Sequence, residues 1–312
     1  MMRTIFDKEP DKQNEYIHHA NSLFHFVKRR EFLENIIRYR SIYPRYFIED
    51  ISYLNLHNEA GLRFTEAAIL GVCFCDIPLS QISNKESINV IKPTSKKGRR
   101  GCSHPELYGE YCVGFSKQWG LDKKIRPVHY KTPGMNDMVT MVFNDTYEVD
   151  IPDSFSDYIL QDIAYSKPIS GRMRRSELPN ETANLTYEIE KNFYNEQEWR
   201  FVPDVVTCEL ESDNTGVSIK PIIGNPKLIG FNTGDQINYL HDISNRIEKM
   251  KCKNVKISLK REEIDYLIVP DSVERRKLIK TIENIYSRHK IKEEMYDLIS
   301  KIHTLTDIEK DY

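Results

Sequence analysis

Two carboxylates and a guanidinium recur at every second position in Phe193-Tyr194-Asn195-Glu196-Gln197-Glu198-Trp199-Arg200-Phe201-Val202-Pro203. The aromatic and aliphatic residues of this stretch suit a strand, which Pro203 then closes. On a strand, Glu196, Glu198 and Arg200 share one face with neighbours about 6.6 Å apart, and Gln197, Trp199 and Phe201 take the other, core-facing side. Such a face admits two readings. One is a salt-bridged, solvated sheet surface. The other is a site in which a fixed carboxylate stabilises positive charge on a substrate.

Other reactive residue types are spread along the chain. Cys73-x-Cys75, Cys102-x-His104 and Cys112 supply thiols and an imidazole. Structural zinc sites use C-x₂₋₄-C turns, however, whereas Gly71-Val72-Cys73-Phe74-Cys75 is an apolar run in which cysteine serves as a small hydrophobe. No metal site is assigned. His25, in Phe24-His25-Phe26, reads as a hydrogen-bonded core histidine or as a site residue, according to what it faces. Lys92, Lys96, Lys97, Arg99 and Arg100 form a basic, glycine-containing loop over 92–101. That loop is either a solvated surface or a phosphate contact with RNA or DNA. Gly171-Arg172-Met173-Arg174-Arg175 is a second, smaller basic cluster. The chain lacks a G-x-x-x-x-G-K-[ST] loop, a G-x-G-x-x-G turn, H-E-x-x-H and G-x-S-x-G, which argues against P-loop NTPases, Rossmann dehydrogenases, zincins and serine hydrolases.

The elements that must position these residues are legible in part. Asn21–Val27 reads as a buried strand, and Glu31–Tyr39 as a helix whose apolar stripe is Phe32, Leu33, Ile36 and Ile37. Pro44 breaks the geometry that follows. Ala67–Phe74, the most apolar window of the first half, is expected to be a central strand. Strands are expected at Tyr108–Ser116, Pro127–Tyr130, Val205–Leu210, Asn225–Asn232 and Ile264–Val269, and helices over Ser156–Ala164 and Asp235–Met250. Asp271 and Glu274 have N-cap and capping-box spacing for a helix carrying Leu278, Ile282 and Ile285. A further helix carries Met295, Leu298 and Ile302. Strands outnumber helices before the C-terminal region, so the fold class is α+β.

Composition bounds the rest. The 312 residues are 39% hydrophobic and 29% charged, with a net charge of −2, as expected of an ordinary folded protein with no global attraction to nucleic acid. An apolar signal core and an 18-residue apolar run are both missing, so a cytoplasmic protein with no membrane partner and six reduced cysteines is expected.

Together, Phe24-His25-Phe26, the helix Phe32–Ile37, Pro44-Arg45-Tyr46, Val72-Cys73-Phe74-Cys75-Asp76-Ile77-Pro78-Leu79-Ser80-Gln81-Ile82, Tyr108-Gly109-Glu110-Tyr111 and Glu196-x-Glu198-Trp199-Arg200 resemble the AbiGi-type abortive phage-infection proteins. The resemblance spans residues 23–205, with 92–101 as an insertion. More distantly, the order of parts resembles ADP-ribosyltransferases. That resemblance implies a split β-sheet core with peripheral helices over 21–270, preceded by an N-terminal segment 1–20 and followed by a C-terminal helical extension 271–312. It also implies NAD as cofactor. His25 would bond the adenosine ribose, Glu198 the nicotinamide ribose, and Glu196 would orient or deprotonate the acceptor. Arg45, Tyr46, Tyr108 and Tyr111 are candidates for holding NAD, and Lys96, Lys97, Arg99 and Arg100 for contacting an RNA acceptor; a protein acceptor is the other possibility.

Cleaving the nicotinamide–ribose bond develops an oxocarbenium-like cation that a nearby carboxylate stabilises. Two acids close together raise the pKa of one toward that of a general base. The rival implication of the AbiGi resemblance is a non-enzymatic antitoxin that neutralises a nucleotidyltransferase-like toxin. A nuclease or a sensor of phage nucleic acid is a third reading, without a two-metal carboxylate set to support cleavage.

Overall fold

A computed structural model of the protein describes residues 21–57, 61–91, 97–132, 140, 144, 153–175, 187–203, 220–224, 233–249, 255–287 and 292–311. The strands are β1 Ser22–Val27, β2 Ser41–Ile42, β3 Arg45–Asp50, β4 Glu66–Cys75, β5 Glu86–Ile91, β6 Lys97–Cys102, β7 Tyr111–Ser116, β8 Arg126–Pro127 and β9 His129–Lys131. They continue as β10 Ser166–Pro168, β11 Ser170–Arg175, β12 Tyr187–Asn192, β13 Glu198–Phe201, β14 Ile222–Gly224, β15 Ile257–Ser258, β16 Tyr266–Val269 and β17 Ile302–Thr304. Helices of ten residues or more are Arg30–Tyr39, Asp153–Ala164, Thr233–Lys249 and Ser272–Tyr286. The class is α+β, as the sequence predicts. No helix among the described residues is long and apolar enough to cross a membrane.

The apolar run Ala67–Val72 makes β4 the strand on which the largest sheet turns. That sheet runs β17-β16-β7-β1-β4-β13-β8, with β3 and β14 also pairing β4. β3 pairs with β4 from Glu66 to Gly71, whereas β1 meets it only at Cys75. Between those points β1 and β3 diverge. The Cys73 carbonyl lies in this gap and accepts a hydrogen bond from His25 Nδ1 at 2.8 Å, so a side chain serves where a ladder partner is lacking. Gly71 marks the divergence, because a Cβ there would stand 2.8 Å from the Phe201 carbonyl oxygen and 3.2 Å from the Phe47 ring.

A second, four-stranded antiparallel sheet runs β11-β12-β5-β6. Its buried face carries Ile88, Val90, Tyr187 and Ile189, covered by Leu107. The basic stretch read as a loop is thus partly strand: Lys97–Cys102 is β6, paired with β5. Glycine and arginine give it little intrinsic strand preference, and the apolar alternation of Ile88 and Val90 next to it supplies the template. The strands expected at Val205–Leu210 and Asn225–Asn232 and the segment 1–20 lie outside the described residues.

Leu278, Ile282, Tyr286, Leu298 and Ile302 share one core cluster with Leu23, Leu33, Val113 and Phe115. Ile302 sits on β17 and not on a helix; β17 pairs β16, which in turn pairs β7. Asp271 accepts from the backbone N–H groups of Val273 and Glu274, as its N-cap spacing predicts.

Candidate functional site

The stretch 193–203 is not one strand. Asn192 accepts from the Tyr194 N–H and opens a 3₁₀ turn over Phe193–Glu196, and Gln197 takes a left-handed conformation at φ 44° before β13 begins at Glu198. Asn192 and Asn195 favour that turn over an extended chain. Glu198 and Arg200 do share a face of β13, while Trp199 and Phe201 pack on the main core, as expected. The polar face, however, is not solvated. Arg200 is 0% exposed, Glu196 4% and Glu198 5%.

The reason is a set of partners distant in sequence. Lys167, on β10, places its Nζ 2.7 Å from Glu196 Oε2 and 2.5 Å from Glu198 Oε2, over the Phe193 ring. Lys191, on β12, lies 3.0 Å from Glu196 Oε1 and also pairs with Glu86 of β5. The Tyr108 hydroxyl donates to Glu196 Oε1. Arg200 donates to Glu198 Oε1 through Nε at 2.9 Å, to Glu49 Oε1 at 2.9 Å, and to the Ala164 carbonyl at 2.5 Å. Its guanidinium lies 4.8 Å from the Phe47 ring centre. Four carboxylates and three cations thus form a continuous network where β13 meets the second sheet, with Glu196, Glu198 and the three cations buried and Glu49 and Glu86 half-buried at its ends.

Electrostatics follow from that geometry. Burial alone pushes the Glu196 and Glu198 carboxyls up, but Lys167 and Lys191 outweigh it at Glu196, and Arg200 and Lys167 at Glu198, so both lie below the ordinary carboxylate range. Glu49 is the exception, because its burial prevails over the same cations and raises it. The expectation that proximity would tune one acid of the Glu196–Glu198 pair toward neutrality fails, since the cations facing them dominate their mutual repulsion. Burial lowers the His25 imidazole, which therefore stays neutral and keeps its proton on Nδ1 to meet the Cys73 carbonyl.

A cleft of about 940 Å³ opens against this network, lined by His25, Arg45, Tyr46, Tyr108, Glu196 and Glu198 among others. Six of the residues predicted for one site are therefore brought together. Tyr111 is not among the cleft-lining residues; its hydroxyl donates to Glu274 at 3.0 Å. Arg45 is engaged by Glu248 at 3.4 Å and Asn245 at 2.8 Å, and the Tyr46 hydroxyl by the Lys220 carbonyl. Tyr108 ends the short helix His104–Tyr108, whose N-terminus Ser103 and Glu106 cap as a capping box; the strand expected over Tyr108–Ser116 begins only at Tyr111.

Arg99 and Arg100 lie on β6, outside the cleft lining, and Arg99 donates to the Ser87 hydroxyl. Lys92 and Lys96 lie outside the described residues, as does the side chain of Lys97. Among the described residues no group of three His, Cys, Asp or Glu side chains is placed to hold a metal.

Residues 40–89 and 101–270 match the protein family described as "Putative abortive phage resistance protein AbiGi, antitoxin". The "Abortive phage resistance protein AbiGi" of Lactococcus lactis subsp. cremoris is 26% identical over 279 residues, which cover 86% of this chain and 98% of that relative. No solved structure matches the chain significantly.

Proposed function

Since the chain belongs to the AbiGi family of abortive phage resistance proteins, we propose that it is a non-enzymatic, partner-binding antitoxin of a toxin–antitoxin pair. The observation that carries this reading is the saturation of Glu196 and Glu198. Each of their four carboxylate oxygens faces a buried cation or donor within the fold. A general base needs a pKa near the working pH and reach to an incoming proton; these carboxylates are held low and already occupied. Their chemistry is that of an ionic network joining two sheets. The antitoxin description of the family supports the same conclusion. Expressed alone, this chain should leave growth unchanged, and co-expressed with its toxin it should relieve arrest. Growth arrest from this chain alone would overturn the reading.

A second reading is favoured by one observation: His25, Tyr46, Tyr108, Glu196 and Glu198 line one cleft whose volume lies in the range of ligand pockets. In that reading the cleft holds NAD, Glu198 bonds the nicotinamide ribose, and ADP-ribose passes to RNA or protein. It requires Lys167 or Arg200 to release Glu198. Consumption of NAD by the purified chain, abolished in a folded Glu198→Gln variant, would establish it.

A further inference from the structure

We propose that the gap between β1 and β3 is a binding site for a neutral nucleobase, free or as its nucleoside. This inference goes beyond the antitoxin reading and does not depend on it. Hydrogen bonding in β4 fixes which backbone groups face the gap. The N–H of Leu70 bonds the Pro221 carbonyl at 2.8 Å, and that of Asp76 the Gln197 carbonyl at 3.0 Å. Even-numbered residues therefore address the β13 and β14 edge, and odd-numbered ones the β1 and β3 edge. On that second edge Gly71 pairs with Arg45 and Cys75 with Phe24. Cys73, between them, pairs with neither β1 nor β3. His25 takes its carbonyl, which leaves the Cys73 N–H as a donor directed into the gap. The same alternation on β1, where the Asn21 carbonyl accepts from Lys117, turns the Phe26 backbone toward the gap from the other side.

The groups around the gap select the ligand. With its proton on Nδ1, the His25 ring keeps an acceptor at Nε2 and lines the cleft. A donor from Cys73 with acceptors from His25 and Phe26 suits the edge of a nucleobase, such as N7 and the N6 amino group of adenine. Phe26, His104 and Tyr108 form a row of rings along the cleft, with centres 4.9 and 4.5 Å apart, a surface on which a base stacks. Charge argues for a neutral ligand. Lys167 is held by Glu196 and Glu198, Arg45 by Glu248 and Arg172 by Glu190, and Lys28 is engaged as well. A phosphate would have to break one of these pairs to gain a cation. A peptide strand fits the gap poorly too, because Cys73 offers a single ladder position where strand addition uses several.

The test titrates the full chain by calorimetry with adenosine, guanosine, cytidine and uridine, then with their monophosphates and with NAD. At least one nucleoside should bind and raise the melting temperature, and its monophosphate should bind about fivefold more weakly or worse. Phe26→Leu, which keeps apolar bulk but removes the ring, should weaken that nucleoside about fivefold or more. His25→Phe, which removes the acceptor, should weaken it about fivefold. Absence of nucleoside binding at millimolar concentration, or unchanged affinity in either folded variant, would overturn the proposal. So would a monophosphate or NAD that binds as tightly as the nucleoside, and for NAD that result would favour the NAD reading of the cleft. If His25→Phe does not fold, the Phe26→Leu titration and the comparison of nucleoside with monophosphate still decide. None of these outcomes bears on toxin neutralisation.

Discussion

Replacing Lys167 with methionine keeps the approximate length and apolar stem of the side chain and removes the charge shared by three acids. In the wild type its ammonium lies 2.7 Å from Glu196, 2.5 Å from Glu198 and 4.0 Å from Glu49. The variant leaves Glu196 with Lys191 and Tyr108, and Glu198 and Glu49 with Arg200 alone. Breaking a buried ion pair by deleting one partner costs about 3–5 kcal/mol, because the remaining charge stays desolvated. For a chain of 312 residues that is a fall in melting temperature of roughly 5–8 °C, read by calorimetry or circular dichroism. The pH dependence gives the effect its signature. Loss of the cation raises the folded-state pKa of the neighbouring carboxyls, and a group raised in the folded state contributes stability that is lost as pH increases through that value. The Lys167→Met deficit should therefore shrink between pH 7.5 and pH 5, and adding Glu196→Gln should recover part of it. A melting temperature within about 2 °C of wild type at pH 7.5, or a deficit that grows on acidification, would refute the reasoning.

His25 sets an acid-sensitive contribution. Burial lowers its folded-state pKa, so stability is complete above the unfolded value near 6.5 and falls as pH drops below it; His25→Gln, able to keep a donor for the Cys73 carbonyl, should flatten urea-denaturation stability over that window. Gly109→Ala should cost more than about 3 kcal/mol, because Gly109 has φ 129° and a Cβ would meet the Val27 carbonyl oxygen at 2.3 Å; a soluble variant with wild-type melting would contradict this. Asp271→Ala should cost about 1 kcal/mol through loss of the helix cap, visible as a lower urea midpoint at constant slope.

Local pattern made much of the scaffold legible. The β4 run, the stripe of helix Arg30–Tyr39 and the Asp271 cap follow from periodicity and capping chemistry that neighbouring residues determine. The pairing of Glu198 with Arg200 on one face was also readable, because both lie on one strand. Their burial was not. It depends on Lys167, Lys191 and Glu49, which topology brings in from β10, β12 and β3. Lys191 did leave a trace: Tyr187, Ile189 and Lys191 alternate on β12, which puts the lysine on the buried face. Lys167, in Ser166-Lys167-Pro168 after a helix, left none. Ser103-His104-Pro105-Glu106 carries a capping-box signature that would have placed Tyr108 on a helix.

The central claim, that this chain acts by binding and not by turnover, is tested most directly by titrating it against a fixed amount of its toxin and following residual toxin activity over time. Binding predicts loss of activity in proportion to added chain, complete near a fixed stoichiometric ratio, immediate, and independent of NAD. Inactivation by far less than one equivalent, progressing with time and requiring NAD, would contradict it.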